Sequence, residues 1–358
     1  MRHAYVSCPT IALPPHEITT DEICADIQQA NPGLPKLKVG LRFARRTQVE
    51  TRRFTRPLGH PSIAGDAPIA ERSRISFADA GDLGVRAARQ TLAETGVDVR
   101  AVDCVVTSHT TSWTTPGLDV HLVEELGLRP DVRRVPMSTL GCVGGAQALV
   151  KAADYIAAHP DATVLVVVAE KLSSVYNHND TGHEAMIYKT LFGDSAGACL
   201  VTGAPLGPGL RFDSTWEYVL PRTRHRYYGR LDSGGMHFGS DKSATDSVND
   251  TMPALRDHLG QQGLREIEFA VVHPGGPRII EDVALGLGID QAPDIEDKDR
   301  LTRHSWTTLR QVGNLGGVSV LNVLSLTHTA PPADGARGVL VGIGPGVTIA
   351  AGAATWTA

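Results

Sequence analysis

The chain has 358 residues, 42% of them hydrophobic and 20% charged, with a formal net charge of −5. That length predicts two domains or one duplicated core, and the mildly acidic balance argues against a general nucleic-acid binder. The longest apolar runs, such as 162–169, fall far short of the roughly 20 residues of a membrane helix, and the apolar stretch after Met1-Arg2-His3 is too short for a signal peptide, so a cytoplasmic protein without a membrane partner is expected.

The chain opens with a short apolar run around Tyr5 to Leu13, then Pro14-Pro15, then a helix start at Thr19-Thr20-Asp21-Glu22. Between Lys36 and Arg56 the bases Lys36, Lys38, Arg42, Arg45, Arg46, Arg52, Arg53 and Arg56 accompany one acid, Glu50. This stretch is either a solvated face or a docking surface for a phosphorylated carrier. A helix is predicted from Ser76 to Gly96, a buried strand over Val102 to Thr107, a polar loop from His109 to Pro116 and a helix over Leu118 to Leu126. A short strand near Arg134 to Pro136 leads to Ser138-Thr139-Leu140-Gly141-Cys142-Val143-Gly144-Gly145-Ala146. Val143, Ala146, Leu149, Val150, Ala153 and Ile156 then recur at helical steps.

Residues 162–169 read as a central strand, 177–182 as a loop, and a further strand ends near Val201. The glycines and prolines of 203–209 mark a hinge. Beyond it the theme repeats: a helix near Ala254 to Leu264, the strand Phe269 to Val272, a helix from Arg278 to Leu285, a helix after Asn314, and strands from Gly338 to Ile343 and Val347 to Ala351. The alternation predicts a pseudo-duplicated α/β layer fold, with halves at 1–205 and 206–358.

Cys142 falls at a helix N-terminus, where unpaired N–H groups and the helix dipole favour a thiolate; the alternative is one more small buried hydrophobe. Cys8, Cys24, Cys104 and Cys199 show no CxxC spacing with it, which argues against a zinc site or a disulfide framework and fits a reducing compartment. Fourteen histidines contain no HExxH-like pair, so most read as surface or packing residues. Two later turns match the cysteine turn in kind. His273 stands between a strand and a helix in His273-Pro274-Gly275-Gly276-Pro277, and Asn314 precedes a helix in Gly313-Asn314-Leu315-Gly316-Gly317. Groups at strand ends in open α/β folds gather over one cavity, where an imidazolium would stabilise the thiolate and imidazole and amide N–H groups would pair as oxyanion donors.

Gly141-Cys142-Val143-Gly144-Gly145, Leu191-Phe192-Gly193-Asp194, the His273 turn, Gly313-Asn314 and Gly342-Ile343-Gly344-Pro345-Gly346-Val347-Thr348 follow the order and spacing of type III polyketide synthases. The chain thus resembles the chalcone-synthase-like branch of the thiolase superfamily from about Ile11 to Thr348. The resemblance implies the thiolase fold, a pseudo-duplicated five-layer αβαβα architecture, and a homodimeric decarboxylative Claisen condensing enzyme with no added cofactor or metal. Cys142 would take a starter acyl group from an acyl-CoA, and His273 and Asn314 would bind the extender, usually malonyl-CoA, and stabilise its enolate. The product would be a pyrone or small aromatic, a reading that the high Arg-to-Lys ratio and a small first gate join to an actinobacterial-style enzyme. The basic stretch would meet the phosphates of CoA through Arg42, Arg45 and Arg46.

The pocket positions implied by the resemblance are Val175 and its neighbour Tyr176 at a first gate, Phe238 at a second, Thr110 and Thr111 lining the cavity, and Thr115 reaching across a dimer interface. Val175 would widen the starter passage and Trp113 would narrow it. The chain departs from the family pattern in the glycines after Cys142, one place early, in Leu315-Gly316-Gly317 after Asn314, and in Trp306. Three rivals stay open: a β-ketoacyl synthase III-like enzyme making one condensation or acyl transfer from an acyl carrier protein, a cysteine hydrolase, and a catalytically silent partner subunit.

Overall fold

The computed structural model describes residues 3–34, 37–292 and 294–358; Met1 and Arg2 of the N-terminal segment, Pro35, Lys36 of the basic stretch, and Pro293 lie outside the described residues. Strands β1 (Ala4–Val6), β2 (Thr10–Ala12) and β3 (His16–Thr19) lead to α1 (Thr20–Ala30), α2 (Leu37–Arg45), β4 (Thr51–Phe54), the single turn α3 (Pro61–Ala64) and the long α4 (Ile69–Thr95). Then come β5 (Cys104–His109), α5 (Leu118–Leu126), β6 (Arg133–Ser138), α6 (Gly144–Ala158), β7 (Thr163–Glu170), α7 (His183–Leu191) and β8 (Ser195–Thr202). The rest is β9 (Gly209–Phe212), β10 (Trp216–Val219), the hairpin β11 (Tyr227–Asp232) and β12 (Gly235–Ser240), α8 (Ser247–Gln261), β13 (Phe269–Val272), α9 (Pro277–Leu287), α10 (Arg303–Val312), α11 (Ser319–Thr329), β14 (Arg337–Gly344) and β15 (Thr348–Thr357).

Helix α1 starts where its sequence says it should. The Thr19 hydroxyl accepts from the Glu22 N–H at 3.1 Å and the Glu22 carboxylate accepts from the Thr19 N–H at 2.7 Å, a reciprocal cap that occupies two otherwise orphaned donors. Helix α8 begins at Ser247, upstream of the expected Ala254, and carries Pro253 inside it rather than before it. Helices α7 and α10 and strands β9 to β12 were not expected. The hairpin strand β11 is exposed along nearly its whole length, so it carries no apolar run to betray it.

Strand pairing repeats across the two halves. In the first, β6, β5 and β7 are parallel, β8 joins β7 antiparallel, and β1 joins β8 antiparallel. In the second, β13 and β14 are parallel, β15 joins β14 antiparallel, and β9 joins β15 antiparallel. Strands β1 and β9 then pair with each other, Ala4 opposite Phe212 and Val6 opposite Leu210, and make the two sets one continuous sheet.

Both faces of the central strands are buried, while the edge strand β6 is largely exposed. Val164, Val166 and Val168 of β7 turn inward with Val271 and Leu340 onto α6 and α11, whose Leu149, Ile156, Leu321 and Leu324 fill the middle. Leu165 and Val167 turn outward onto α4 and α5, through Leu83, Ala87 and Leu122. Val272, Val339 and Val341 turn outward onto α8 and α9, through Leu255, Leu259 and Val283. This is the thiolase-type αβαβα layering. The central strands are continuously apolar because neither face meets water.

The two central helices begin against each other. A Cβ on Gly145, at the start of α6, would overlap the carbonyl oxygen of Gly317 in the turn before α11. A Cβ on Gly317 would in turn lie only 3.1 Å from the Gly145 nitrogen. The early glycines after Cys142 therefore serve this approach, and Ala146 is met by Gly342 of β14. Gly145→Ala is expected to cost roughly 1–3 kcal/mol through overpacking, read as a fall of a few degrees in thermal midpoint or as lost soluble yield. An unchanged melt would contradict the contact.

Candidate active site

The carboxyl ends of the parallel strands converge on one chamber. Strand β5 delivers Thr110, β6 leads to Cys142, β7 ends in Glu170, β13 leads to His273 and β14 to Pro345, and all of these line the chamber. Thr139 and Gly141 take positive φ of 62° and 58°, which bends the chain sharply before α6. The Thr110 hydroxyl accepts from the Gly141 N–H at 3.0 Å and holds that bend.

Asn314 reaches the chamber from the turn between α10 and α11. Its N–H donates to the Leu191 carbonyl at 2.8 Å, and its own carbonyl accepts from the Gly193 N–H at 3.1 Å, so the Leu191-Phe192-Gly193 segment clamps its backbone. The amide is fixed as well. Its Oδ1 accepts from the Gly316 N–H at 2.8 Å and lies 3.3 Å from the Ser319 hydroxyl, which leaves Nδ2 3.7 Å from the Cys142 Sγ and 3.4 Å from the Gly275 carbonyl. His273 is 2% exposed, with its N–H donating to the Val341 carbonyl at 2.9 Å and its Nδ1 without a partner among the described residues. Tyr188, Phe192, Tyr227 and Phe238 form the aromatic wall, Tyr188 stacking on Phe192 at 5.2 Å and Phe238 meeting Phe192 edge-on at 5.7 Å.

The chamber disfavours charge. Burial pushes the Cys142 thiol up to about 12, with the Asn314 hydrogen bond opposing and the nearby Glu170 carboxyl adding to the rise. Burial holds His273 down to about 3. Glu170 is pushed up to about 8 by burial, against hydrogen bonds from Thr110 and Thr111. Desolvation thus opposes the thiolate and imidazolium expected from the helix N-terminus and favours a neutral thiol and a neutral imidazole.

Three cavities run in series. The mouth is bordered by Phe43, Arg46 and Arg278 and shares Tyr188, Tyr227 and Ile279 with the catalytic chamber. A further chamber holds Thr111, Trp113 and Met236 and shares Thr110, Gly141, Phe238 and Pro345. Of the expected pocket residues, Thr110, Thr111 and Phe238 line these cavities, and Arg46 borders the mouth. Arg42 and Arg45 are exposed on α2 outside the mouth, Arg45 pairing with Asp21 at 3.0 Å.

Val175 and Tyr176 line none of the three, which corrects their reading as a gate. The 3₁₀ turn Leu172–Val175 points Val175 into a cluster with Trp306, Leu309 and Phe192, and only Leu172 reaches the chamber. Tyr176 is buried against Phe54, its hydroxyl donating to Asp26 at 2.6 Å. Thr115 is exposed on the loop after β5 and outside the cavities, and Trp113 is 82% exposed at the rim of the further chamber. Trp306 is buried packing, under the Arg310 guanidinium at 5.6 Å. Sequence reasoning missed Glu170, Tyr188 and Tyr227; for Glu170 the available signal was a lone carboxylate ending an apolar strand.

Residues 42–205 match the chalcone and stilbene synthases N-terminal domain, and residues 211–353 match the C-terminal domain of the same family. The chain belongs to the chalcone and stilbene synthase family. A 1,3,6,8-tetrahydroxynaphthalene synthase of Streptomyces peucetius is 31% identical, covering 96% of this chain and 91% of its own. The crystal structure of the corresponding Streptomyces coelicolor synthase superposes with a TM-score of 0.92 at 27% identity, over 99% of both chains. Germicidin synthase of the same organism, a type III polyketide synthase, superposes with a TM-score of 0.90 at 30% identity, over 99% of this chain and 100% of its own. Family membership makes this chain a type III polyketide synthase, a condensing acyltransferase that works on CoA thioesters without an added cofactor. The hydrolase and single-condensation readings give way to it, and the silent-subunit reading required the loss of Cys142, His273 or Asn314, all of which are present.

The neutral pair has a measurable consequence. With the thiol pKa raised and the imidazole pKa lowered, the rate of Cys142 alkylation by iodoacetamide is expected to climb about tenfold per pH unit from pH 6 to 10, following the small thiolate fraction, with no plateau. A plateau reached near pH 7 would reveal a standing thiolate–imidazolium pair.

Proposed function

We propose that Cys142 carries the starter acyl group while His273 and Asn314 activate the extender, in a decarboxylative Claisen condensation of malonyl-CoA onto an acyl-CoA starter. The observation that carries this reading is the fixed Asn314 amide, whose Nδ2 donor lies 3.7 Å from the Cys142 sulfur in a chamber shared with His273. The sulfur attacks the starter thioester carbonyl; the S–C bond forms, the bond to CoA breaks, and the thiol proton passes through the neutral imidazole to the departing CoA sulfur. Malonyl-CoA then places its thioester oxygen between the His273 and Asn314 N–H groups. As the bond to its carboxylate breaks, carbon dioxide leaves and the electron pair becomes an enolate held by those two donors. The enolate carbon attacks the acyl-cysteine, a C–C bond forms, the S–C bond breaks, and the cysteine sulfur is reprotonated.

A neutral imidazole suits this role, since a low pKa keeps His273 a hydrogen-bond donor to the oxyanion instead of a proton source that would quench the enolate. One catalytic function would come from each repeat: the nucleophile from 1–205, the histidine and asparagine from 206–358. Arg46 and Arg278 at the mouth suit the pyrophosphate of CoA, Arg278 being held there by Asp282 at 3.2 Å and Glu184 and Asp241 bordering the same opening, and Arg42 and Arg45 lie on the adjoining helix α2. The further chamber gives room for a growing chain that ends in cyclisation to a pyrone or small aromatic. The exposed loop bearing Trp113 and Thr115 is the surface we assign to a homodimer interface in a cytoplasmic enzyme; no helix among the described residues is long and apolar enough to cross a membrane.

Incubation with an acyl-CoA and labelled malonyl-CoA separates the roles. Cys142→Ala is expected to yield no extended product while still releasing labelled carbon dioxide, and Asn314→Ala is expected to lose about 10²–10³-fold in that release. Extended product from Cys142→Ala at the unsubstituted rate would overturn the assignment.

A further inference from the structure

The chamber beyond Phe238 contains a charge that the mechanism above does not use. Arg72, on α4, is 5% exposed and lines that chamber. Its Nη1 donates to the Gly234 carbonyl at 3.0 Å and its Nη2 to the Ser174 carbonyl at 2.9 Å, and its Nε has no partner among the described residues. Among the described residues no carboxylate touches it.

The nearby carboxylates are taken by other groups. Arg56 grips both oxygens of Asp79, at 2.7 and 3.1 Å. Asp194 accepts from the Thr55 and Ser173 N–H groups and from the Ser173 hydroxyl, to which Lys171 donates at 3.1 Å. Arg230, at the chamber wall, pairs with Asp232. Arg72 and Lys171 are close enough for the guanidinium to disfavour the ammonium. Burial lowers the pKa of Arg72 with nothing opposing it, as expected for a desolvated cation without a counter-ion. A guanidinium is not neutralised at ordinary pH, so the missing partner has to come from elsewhere.

The chamber wall shows from where. It shares Thr110 and Gly141 with the catalytic chamber, and Gly141 adjoins Cys142, so an acyl chain on that sulfur runs past Phe238 into it. Apart from Arg230, which Asp232 neutralises, the other wall groups are neutral hydroxyls and apolar side chains, among them Thr111, Ser112 and Met236. We propose that Arg72 is an anion-recognition residue of this further chamber and holds the oxygen-bearing far end of the acyl chain, a carboxylate or the enolate of a β-diketone unit. The inference rests on the acyl-cysteine reading of Cys142. It assigns Arg72 to starter choice and chain length and leaves the first condensation to Cys142, His273 and Asn314.

The plain alternative is that Arg72 only ties Ser174 to Gly234 and so steadies the β11–β12 hairpin. Kinetics of the full chain and of Arg72→Gln and Arg72→Lys distinguish the two, using glutaryl-CoA and pentanoyl-CoA as carboxylated and neutral starters, with products separated by mass. A starter carboxylate as the ligand predicts that the unsubstituted enzyme favours glutaryl-CoA in kcat/KM by about tenfold, the advantage vanishing in Arg72→Gln and partly returning in Arg72→Lys. An enolate as the ligand predicts that, from pentanoyl-CoA, Arg72→Gln keeps the first condensation while the ratio of longest to shortest product falls about tenfold, with a smaller fall in Arg72→Lys. The lysine variant keeps the charge without the planar fork, and it decides the matter if the glutamine variant does not fold. An unsubstituted enzyme indifferent to the carboxylate, with variants that slow both starters equally and leave the product ratio unchanged, would overturn the proposal in favour of the hairpin tie. An unsubstituted enzyme that decarboxylates malonyl-CoA and extends neither starter would instead sink the acyl-cysteine reading.

Discussion

The contact on which the rest of the molecule depends is backbone against backbone. The start of α6 meets the turn before α11 at Gly145 and Gly317, with no room for a side chain on the Gly145 side. Each helix follows a bend that presents one chemical group: Cys142 before α6, Asn314 before α11. Bringing the helix starts together brings those groups to 3.7 Å, and the strand layers on either side bury the apolar faces of the two helices. A duplicated fold thus makes one site from two halves, since neither half places both a sulfur and an amide at its own strand ends.

The same burial sets the chemistry. Close packing around the strand ends excludes water, so the thiol, the imidazole and the Glu170 carboxyl all shift toward their neutral forms. Neutral donors are what an enolate needs: they stabilise developing negative charge without handing over a proton too early. One chamber further on, Arg72 keeps its charge because guanidinium holds its proton far more tightly than imidazole does. The sequence of cavities thereby grades from a mouth with charges of both signs, through a chamber whose buried groups shift toward their neutral forms, to the desolvated cation Arg72.

Much of this was legible from residues alone. The turns at Cys142, His273 and Asn314 each announce a bend by glycine and a helix start by periodicity, and those local signals survive folding. Thr110 and Thr111 were placed by a short count back from Pro116, and Phe238 by its Gly235-Met236-His237 context. Val175 and Tyr176 were misjudged because the count crossed the loop 177–182, where backbone path and not residue number decides which side chain faces the cavity, and Leu172 took the place instead. The electrostatics of Cys142 were only half legible. A helix N-terminus is visible in sequence, whereas the desolvation that opposes it is made by strands and helices far along the chain. Glu170 and Arg72 look like any acid or base until tertiary contacts show that both are buried and incompletely partnered.

The central claim is that the growing acyl chain hangs on Cys142. Intact-protein mass after brief exposure to an acyl-CoA, followed by peptide mapping, tests it directly. The expected result is one acyl increment on the peptide containing Cys142, absent from Cys142→Ala and discharged when malonyl-CoA is added. An increment that survives in Cys142→Ala, or that maps to Cys8, Cys24, Cys104 or Cys199, would contradict the account.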